Sequence, residues 1–218
     1  GEGIALNRAG IVTMLKSLDA LRSIKHLKNQ NIGIFAYSDE GRGMRYSTKL
    51  LEKACDQVRE VIVLKPGFRE GKIVNQRRGL RKYHLVIDGD PIRVGAKEDK
   101  IDVLSWFLSI HSSIKDLSKP SQKLTLSVQD IHSDRYSILM PHRLRVTIIL
   151  AFLDTKKANS TEQKLNDILK KHPKQIRVHI EKIEDRPPLK TKSNMNIIID
   201  KLKSISEDWD LPFGTESS

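Results

Sequence analysis

The stretch KYHLVID, residues 82–88, has the length of a β-strand and opens a run of six elements. The run then continues as helix, strand, strand, helix and strand. We predict these further elements at Ile101–Ile114, Lys123–Ile131, Arg143–Leu153, Glu162–Lys171 and Gln175–Ile183. This order is that of the split βαβ, or ferredoxin-like, unit, an antiparallel sheet with both helices on one face. An α+β unit is therefore expected in this region.

On the N-terminal side of this unit the predicted order of helices and strands is different. Apolar residues recur every three or four positions from Ala9 to Leu27, which predicts an amphipathic helix. The apolar run Ile32–Tyr37 is of strand length, and a second helix at Ser47–Arg59 leads to a second buried strand at Val61–Leu64. Helices alternating with strands of these lengths indicate a parallel or mixed sheet covered by helices.

The C-terminal end returns to the first pattern, because a helix is predicted at Asn194–Ile205 after Pro187 and Pro188. We therefore predict three segments: 1–77 and 186–218 from one larger domain, and 78–185 as a smaller domain inserted into it. The fold class is α/β with an inserted α+β domain.

Composition favours a globular protein. Of the 218 residues 38% are hydrophobic, and the mean hydropathy is −0.42. No apolar run reaches the roughly 18 residues of a membrane span, so no membrane anchor is expected. The single cysteine, Cys55, excludes an internal disulfide and favours a reducing compartment, for which we predict the cytoplasm. The chain begins at Gly1 without a methionine, which indicates an internal piece of a longer protein.

A net charge of +12 raises the question of a nucleic-acid partner. Acidic and basic residues are mixed along the chain, and a central strand of the inserted unit offers only Phe152 for stacking on bases. We therefore expect no nucleic-acid partner. The densest basic stretch is interpreted as a solvated hinge and contains Arg69, Lys72, Arg77, Arg78, Arg81 and Lys82.

Two motifs in the first segment are the decapeptide GEGIALNRAG at 1–10 and the run Asp39–Gly43. Together they resemble the zinc-dependent aminoacylase and carboxypeptidase family, which includes acetylornithine deacetylase. The decapeptide GEGIALNRAG at 1–10 is similar to the family's Gly-x-Gly-x-x-Asp-x-Lys-Gly-Gly and has Leu6 at the position of the metal-bridging aspartate. The run Asp39–Gly43 is similar to Asp-Glu-Glu-x-Gly. It keeps the first glutamate as Glu40, has Gly41 in place of the second, and has Lys65 at the third ligand position.

This resemblance implies metal-assisted amide hydrolysis, with Glu40 as the general base. Leucine and glycine side chains donate nothing to a metal, and an ammonium at Lys65 would repel a dication. We therefore predict that the metal ligands are lost, that Glu40 is vestigial, and that no cofactor is bound. The alternative is an active zinc-dependent amide hydrolase that segments missing from this chain complete.

In the inserted unit the resemblance is to the family's lid, or dimerisation domain. The family's Gly-x-x-x-His-x-Gly corresponds to Gly89–Gly95, where Arg93 replaces the histidine that polarises the substrate carbonyl. Arg93 could still donate hydrogen bonds to substrate, although it does not titrate near neutrality. A family asparagine corresponds to Ile138.

The resemblance also implies a partner. We predict a homodimer through the helix Ile101–Ile114 and the strand Lys123–Ile131, which a ferredoxin-like order places at the edge of the sheet. A small anionic or peptide-like ligand is compatible with the inherited cleft.

Overall fold

The computed structural model describes residues 8–44, 46–65, 71–96, 101–134, 137–191 and 193–217. The chain divides into two compact units, one formed by the described parts of 1–74 and 193–217 and the other by those of 75–192. The helices are α1 (Ala9–Ser23), α2 (Thr48–Cys55), α3 (Val103–Lys115), α4 (Thr155–Leu169) and α5 (Ser193–Asp208). The strands are β1 (Lys72–Gln76), β2 (Gly79–Gly89), β3 (Thr125–Ser133), β4 (Arg143–Phe152), β5 (Ile176–Arg186) and β6 (Gly214–Ser217). Short 3₁₀ turns lie at Leu27–Asn29, Glu40–Arg42 and Pro120–Gln122.

The 75–192 unit contains a four-stranded antiparallel sheet in the order β3-β4-β2-β5. Alternate residues of the central strands β2 and β4 are buried, and they join residues of α3 and α4 in a single hydrophobic core. Both helices therefore cover the same face of the sheet. This confirms the ferredoxin-like prediction for the inserted unit.

Side-chain caps fix where the two covering helices begin. The Asp102 carboxylate accepts hydrogen bonds from the amides of Leu104 and Ser105 at 2.9 and 3.0 Å, and so caps α3. Asp154 caps α4 in the same way. Helix α4 therefore begins at Thr155, two turns before the predicted start at Glu162. The prediction missed these turns because their core positions, Ala158 and Thr161, are only weakly apolar.

The unit formed by 1–74 and 193–217 departs from the sequence prediction. In the part of the chain that the structure describes, neither Ile32–Tyr37 nor Val61–Leu64 forms a strand, and Ile62 and Val63 are 75% and 73% exposed. Among the described residues of this unit, the sheet consists of β1 and β6. A strand needs a neighbour for its backbone hydrogen bonds, and an apolar run by itself does not supply one. The strand prediction at these two places is therefore wrong.

The helices of the same unit are shorter than predicted. Helix α1 ends at Ser23, four residues before the expected end, where Lys25 adopts a left-handed backbone with φ of 59°. Helix α2 ends at Cys55, before the expected Arg59. Helix α1 buries none of its residues. None of the described helices has the length and apolar character needed to cross a membrane.

Candidate functional site

The loop that resembles the family's acidic motif is held by an aspartate. The Asp39 carboxylate accepts hydrogen bonds from the amides of Tyr46 and Ser47 at 2.9 and 3.0 Å, just before α2 begins. Hydrogen bonds at Ser47 and Tyr46 lower the pKa of Asp39 below its ordinary value, because they stabilise the charged form. The chain reverses through two left-handed residues, Gly43 and Met44, with φ of 74° and 56°. Asp39 therefore organises the loop as a closed turn.

This turn brings together three of the residues singled out from the sequence. Glu40 and Gly41 lie in the 3₁₀ turn Glu40–Arg42, and Lys65 approaches from 25 residues further along the chain. The Lys65 Nζ atom lies 2.9 Å from Glu40 Oε1, and the two side chains are 42% and 41% exposed. The candidate general base is thus ion-paired with the residue at the third ligand position. Leu6 lies outside the described residues.

The described residues at this site do not fit a zinc ion. Zinc takes about four nitrogen, oxygen or sulfur ligands. Here Gly41 has no side chain, Lys65 places a cation against the Glu40 carboxylate, and the Asp39 carboxylate accepts hydrogen bonds from the amides of Tyr46 and Ser47. In the part of the chain that the structure describes, no group of three or more His, Cys, Asp or Glu side chains is arranged to hold a metal.

The position of Gly41 does have room for a side chain. A Cβ atom built there meets no atom within 4 Å, and its backbone does not adopt a left-handed conformation. A glutamate could therefore be introduced without a clash at the backbone.

The lid positions named from the sequence lie in the other unit, where they meet one another. Arg93 forms an isolated antiparallel bridge with Leu139, and the Val94 amide donates to the Ile138 carbonyl at 3.0 Å. The Met140 amide donates to the Ile92 carbonyl at 2.8 Å. The positions that correspond to the family histidine and asparagine thus lie on two paired segments of the lid. Their roles in binding stay predictions.

One residue of the basic hinge is not solvated, which corrects the interpretation of that stretch. Arg81 is 5% exposed; its Nη1 lies 2.7 Å from Glu162 Oε2 and its Nε lies 3.1 Å from Asp185 Oδ1. Its guanidinium also lies over the Phe152 ring, 5.2 Å from the centroid. Lys182 extends the network, with Nζ 3.3 Å from Glu162 and 3.1 Å from Asp185.

A sequence signal for this network exists. Arg81 lies an even number of residues from the buried Tyr83, Leu85 and Ile87 of β2. Because side chains alternate between the two faces of a strand, its side chain lies on the core face of the sheet. Arg69 of the predicted hinge lies outside the described residues.

The four-stranded antiparallel sheet with two helices on one face is the fold expected of a peptidase-type lid domain. Comparison with known families agrees, because residues 75–177 match the peptidase dimerisation domain. The match confirms the resemblance of this region to the family's lid, or dimerisation domain. No curated protein matches the chain.

Solved structures share the fold at low sequence identity. A tripeptidase from Staphylococcus aureus superposes with a TM-score of 0.59 at 12% identity, over 71% of this chain and 41% of its own. A hydantoinase/carbamoylase-family amidase from Burkholderia vietnamiensis superposes with a TM-score of 0.52 at 15% identity, over 69% of this chain and 40% of the amidase. An amidase of the same description from Burkholderia phymatum superposes with a TM-score of 0.52 at 14% identity, over 66% of this chain and 37% of the amidase. The chain spans about two fifths of the length of these structures, and the likeness concerns the fold alone.

Proposed function

We propose that this chain is a non-catalytic, dimer-forming protein built on the architecture of metal-dependent amide hydrolases. The observation that carries the proposal is the ion pair between Lys65 Nζ and Glu40 Oε1 at 2.9 Å. It supports a site in which a lysine ammonium takes the place of a metal's positive charge.

Electrostatics opposes a metal beside this ammonium. At about 4 Å, two unit charges of like sign repel by about 1 kcal/mol in water and about 4 kcal/mol at an effective dielectric constant near 20. Because Lys65 and Glu40 are both about two-fifths exposed, the true repulsion lies toward the lower figure for each unit charge. A dication faces twice that penalty and gains no carboxylate from Gly41.

The test is the zinc content of the purified, dialysed chain after incubation with excess zinc, measured by elemental mass spectrometry. We expect close to no zinc per chain. The matched variant combines Leu6→Asp, Gly41→Glu and Lys65→Asp, which restores the family's carboxylates. It should gain zinc relative to the parent chain, since Gly41 has room for the new side chain.

Tight binding of one or two zinc ions by the unaltered chain would overturn the proposal. That result would favour the alternative of an active zinc-dependent amide hydrolase, and assays of amide cleavage would follow.

For the lid we propose homodimerisation through α3 and β3, with 78–185 as the dimerising domain. Strand β3 lies at one edge of the sheet, and Leu108 on the adjacent helix is 58% exposed. The regular part of this edge is Thr125–Gln129, because a bulge with Asp130 at φ of 50° interrupts the pairing after it. Short edges of this kind can extend into a partner's sheet.

The dimer is tested by sedimentation equilibrium. Leu108→Glu changes an exposed position, so it should leave a folded monomer if α3 lies in the interface. Lys164→Glu, on the exposed surface of α4, is the control and should leave the dimer intact. A dimer of unchanged affinity in the Leu108 variant would refute the assigned interface.

The single cysteine, Cys55, supports a reducing compartment such as the cytoplasm.

A further inference from the structure

The outward surface of α4 and of the turn that follows it is rich in lysine. Residues 154–174 contain six lysines and three carboxylates. All six lysines are exposed, and among the described residues none of them forms a salt bridge. We call this surface the lysine face, and it consists of Lys156, Lys157, Lys164, Lys170, Lys171 and Lys174.

Two of the three carboxylates are engaged elsewhere. Asp154 caps α4 by accepting hydrogen bonds from two backbone amides, although its charge also attracts Lys157. Glu162 lies 2.7 Å from the buried Arg81, so its charge is matched inside the lid. Of the three, only Asp167 is exposed among the lysines. The lysine face therefore keeps an excess of positive charge.

Three of these lysines recur at intervals of seven residues: Lys157, Lys164 and Lys171. Seven residues make about two helical turns, so such positions lie on one side of a helix and about 10.5 Å apart. Helical hydrogen bonding continues to the Lys170 amide, which donates to the Asn166 carbonyl at 2.9 Å, so the spacing extends to Lys171. The lysine face therefore includes a line of charges about 21 Å long.

The surroundings of this line contain no apolar anchor. In the described stretch 139–188, no large apolar side chain is among the exposed ones. The exposed residues between the lysines include the uncharged polar residues Asn159, Ser160 and Gln163. The neighbouring helix α3 presents serines, such as Ser109, on its exposed side. The positive charge is thus concentrated on a strip about one helix wide.

These features favour one kind of partner. The cores of protein interfaces are depleted in lysine and enriched in aromatic residues. Single-stranded nucleic acids stack on aromatic side chains, and helices that lie on a membrane bury an apolar face. A duplex nucleic acid needs none of these, because its backbone is a rod of phosphates that lysine, serine, asparagine and glutamine side chains contact. The strip on α4 supplies these side chains along its length.

We propose that the lysine face binds the phosphate backbone of duplex nucleic acid without reading its sequence. A line of about 21 Å spans about six base pairs, since each base pair adds about 3.4 Å. This inference goes beyond the proposed function, because α4 belongs neither to the turn at Glu40 nor to the interface assigned to the dimer.

The proposal departs from the expectation drawn from the sequence, in which nucleic acid was no partner. That expectation rested on acidic and basic residues being mixed along the chain and on the lack of aromatic residues for stacking. The fold separates these charges, because Glu162 turns toward Arg81 while the lysines face outward. A duplex also needs no aromatic side chains, since its bases stay stacked on one another.

The probe is a DNA duplex of about 20 base pairs and mixed sequence, labelled with fluorescein and titrated with the full chain at about 50 mM salt. Fluorescence anisotropy should show saturable binding with a Kd below about 100 µM, the weak end of sequence-independent binding. The logarithm of the association constant should fall with the logarithm of the salt concentration with a slope of about −4, as for four or five lysines that each displace a counterion. A duplex of different sequence should bind equally well.

The test variant replaces the aligned lysines by glutamine: Lys157→Gln, Lys164→Gln and Lys171→Gln. It should weaken binding at least about tenfold and reduce the magnitude of the salt slope by about 3. The matched control removes the same charge from exposed positions on α1, α2 and α3: Lys16→Gln, Lys53→Gln and Lys115→Gln. It should change the affinity less than about threefold. Unchanged far-ultraviolet circular dichroism shows that both variants remain folded.

A second titration uses vesicles of phosphatidylcholine and phosphatidylserine in a ratio of about 7:3. We expect the chain to bind the duplex more tightly than these vesicles, because the lysines form a narrow strip. Three results would overturn the proposal: no binding of the duplex with about 100 µM chain at about 50 mM salt, equal weakening in the two variants, or tighter binding to the vesicles. The last result would assign the lysine face to a membrane surface.

Discussion

At the scale of single residues, the charged side chains Arg81 and Lys65 each lie against carboxylates, but they differ in burial. Arg81 is buried yet contacts two carboxylates and an aromatic ring. A buried ion pair is weak support for stability as a pair, but removal of one partner leaves an uncompensated charge. Lys65 and Glu40 form the contrasting case, since both are about two-fifths exposed and solvent screens their attraction.

We expect Arg81→Met to lower the free energy of unfolding of the lid by about 3 kcal/mol, because Glu162 and Asp185 lose their buried partner and keep only the more exposed Lys182. The control is Arg143→Met, which breaks an exposed pair with Asp88 and should cost less than about 1 kcal/mol. Urea unfolding followed by Trp106 fluorescence, with Trp209 changed to phenylalanine, measures both. Equal losses in the two variants would contradict the role given to Arg81.

At the scale of elements, each lid helix begins at an aspartate cap and each sheet edge is interrupted by a bulge. The caps satisfy amides that lack a partner in the first turn of a helix. The bulges shorten the regular edge to Thr125–Gln129 on β3 and Ile176–Lys182 on β5. Edge strands interrupted in this way are protected from pairing along their full length.

Asp102→Ala should destabilise the lid by about 1 kcal/mol, because the amides of Leu104 and Ser105 lose their acceptor. Asp116→Ala, at the other end of α3, removes no cap of this kind and should have a smaller effect. Urea unfolding followed by far-ultraviolet circular dichroism measures the difference. Indistinguishable midpoints for the two variants would show that the cap contributes little.

Asp154 gives the start of α4 a defined dependence on pH. Hydrogen bonds from the amides of Lys157 and Lys156 lower its pKa in the folded state. The stabilisation it provides is therefore fully present above about pH 3.9, the ordinary aspartate pKa, and is lost as the pH falls through the lower folded value. Amide chemical shifts of Lys156 and Lys157 should move in this acidic range. In Asp154→Asn, which caps without titrating, the movement should disappear.

At the scale of the whole molecule, the two units differ in how they use apolar residues. The 75–192 unit has a continuous core that includes Leu85, Phe107 and Ile148, each 0% exposed. The other unit leaves large apolar residues exposed along α1 and along segments 32–37 and 61–64. Cooperative stability is therefore expected in the lid.

Hydrogen exchange of the full chain should show this contrast. Amides of β2 and β4 in the centre of the lid sheet should exchange slowly, whereas those of 32–37 and 61–64 should exchange close to the unprotected rate. Mass spectrometry of peptic fragments resolves these segments. Strong protection of residues 61–64 would mean that this segment finds a strand partner.

The sequence by itself determined the order of elements in the lid, because helix and strand periodicities are local and appear over a few residues. The prediction that Leu6, Gly41 and Lys65 occupy the family's metal-ligand positions also comes from the sequence alone. It misjudged 32–37 and 61–64, where apolar character predicted buried strands.

Only the tertiary structure decided the contacts between residues distant in sequence. It placed Lys65 against Glu40 and buried Arg81 between Glu162 and Asp185. Among the residues that the structure describes, it also left segments 32–37 and 61–64 without a neighbouring strand. Local periodicity states which face of an element is apolar, whereas burial and pairing depend on a partner that the rest of the fold must supply.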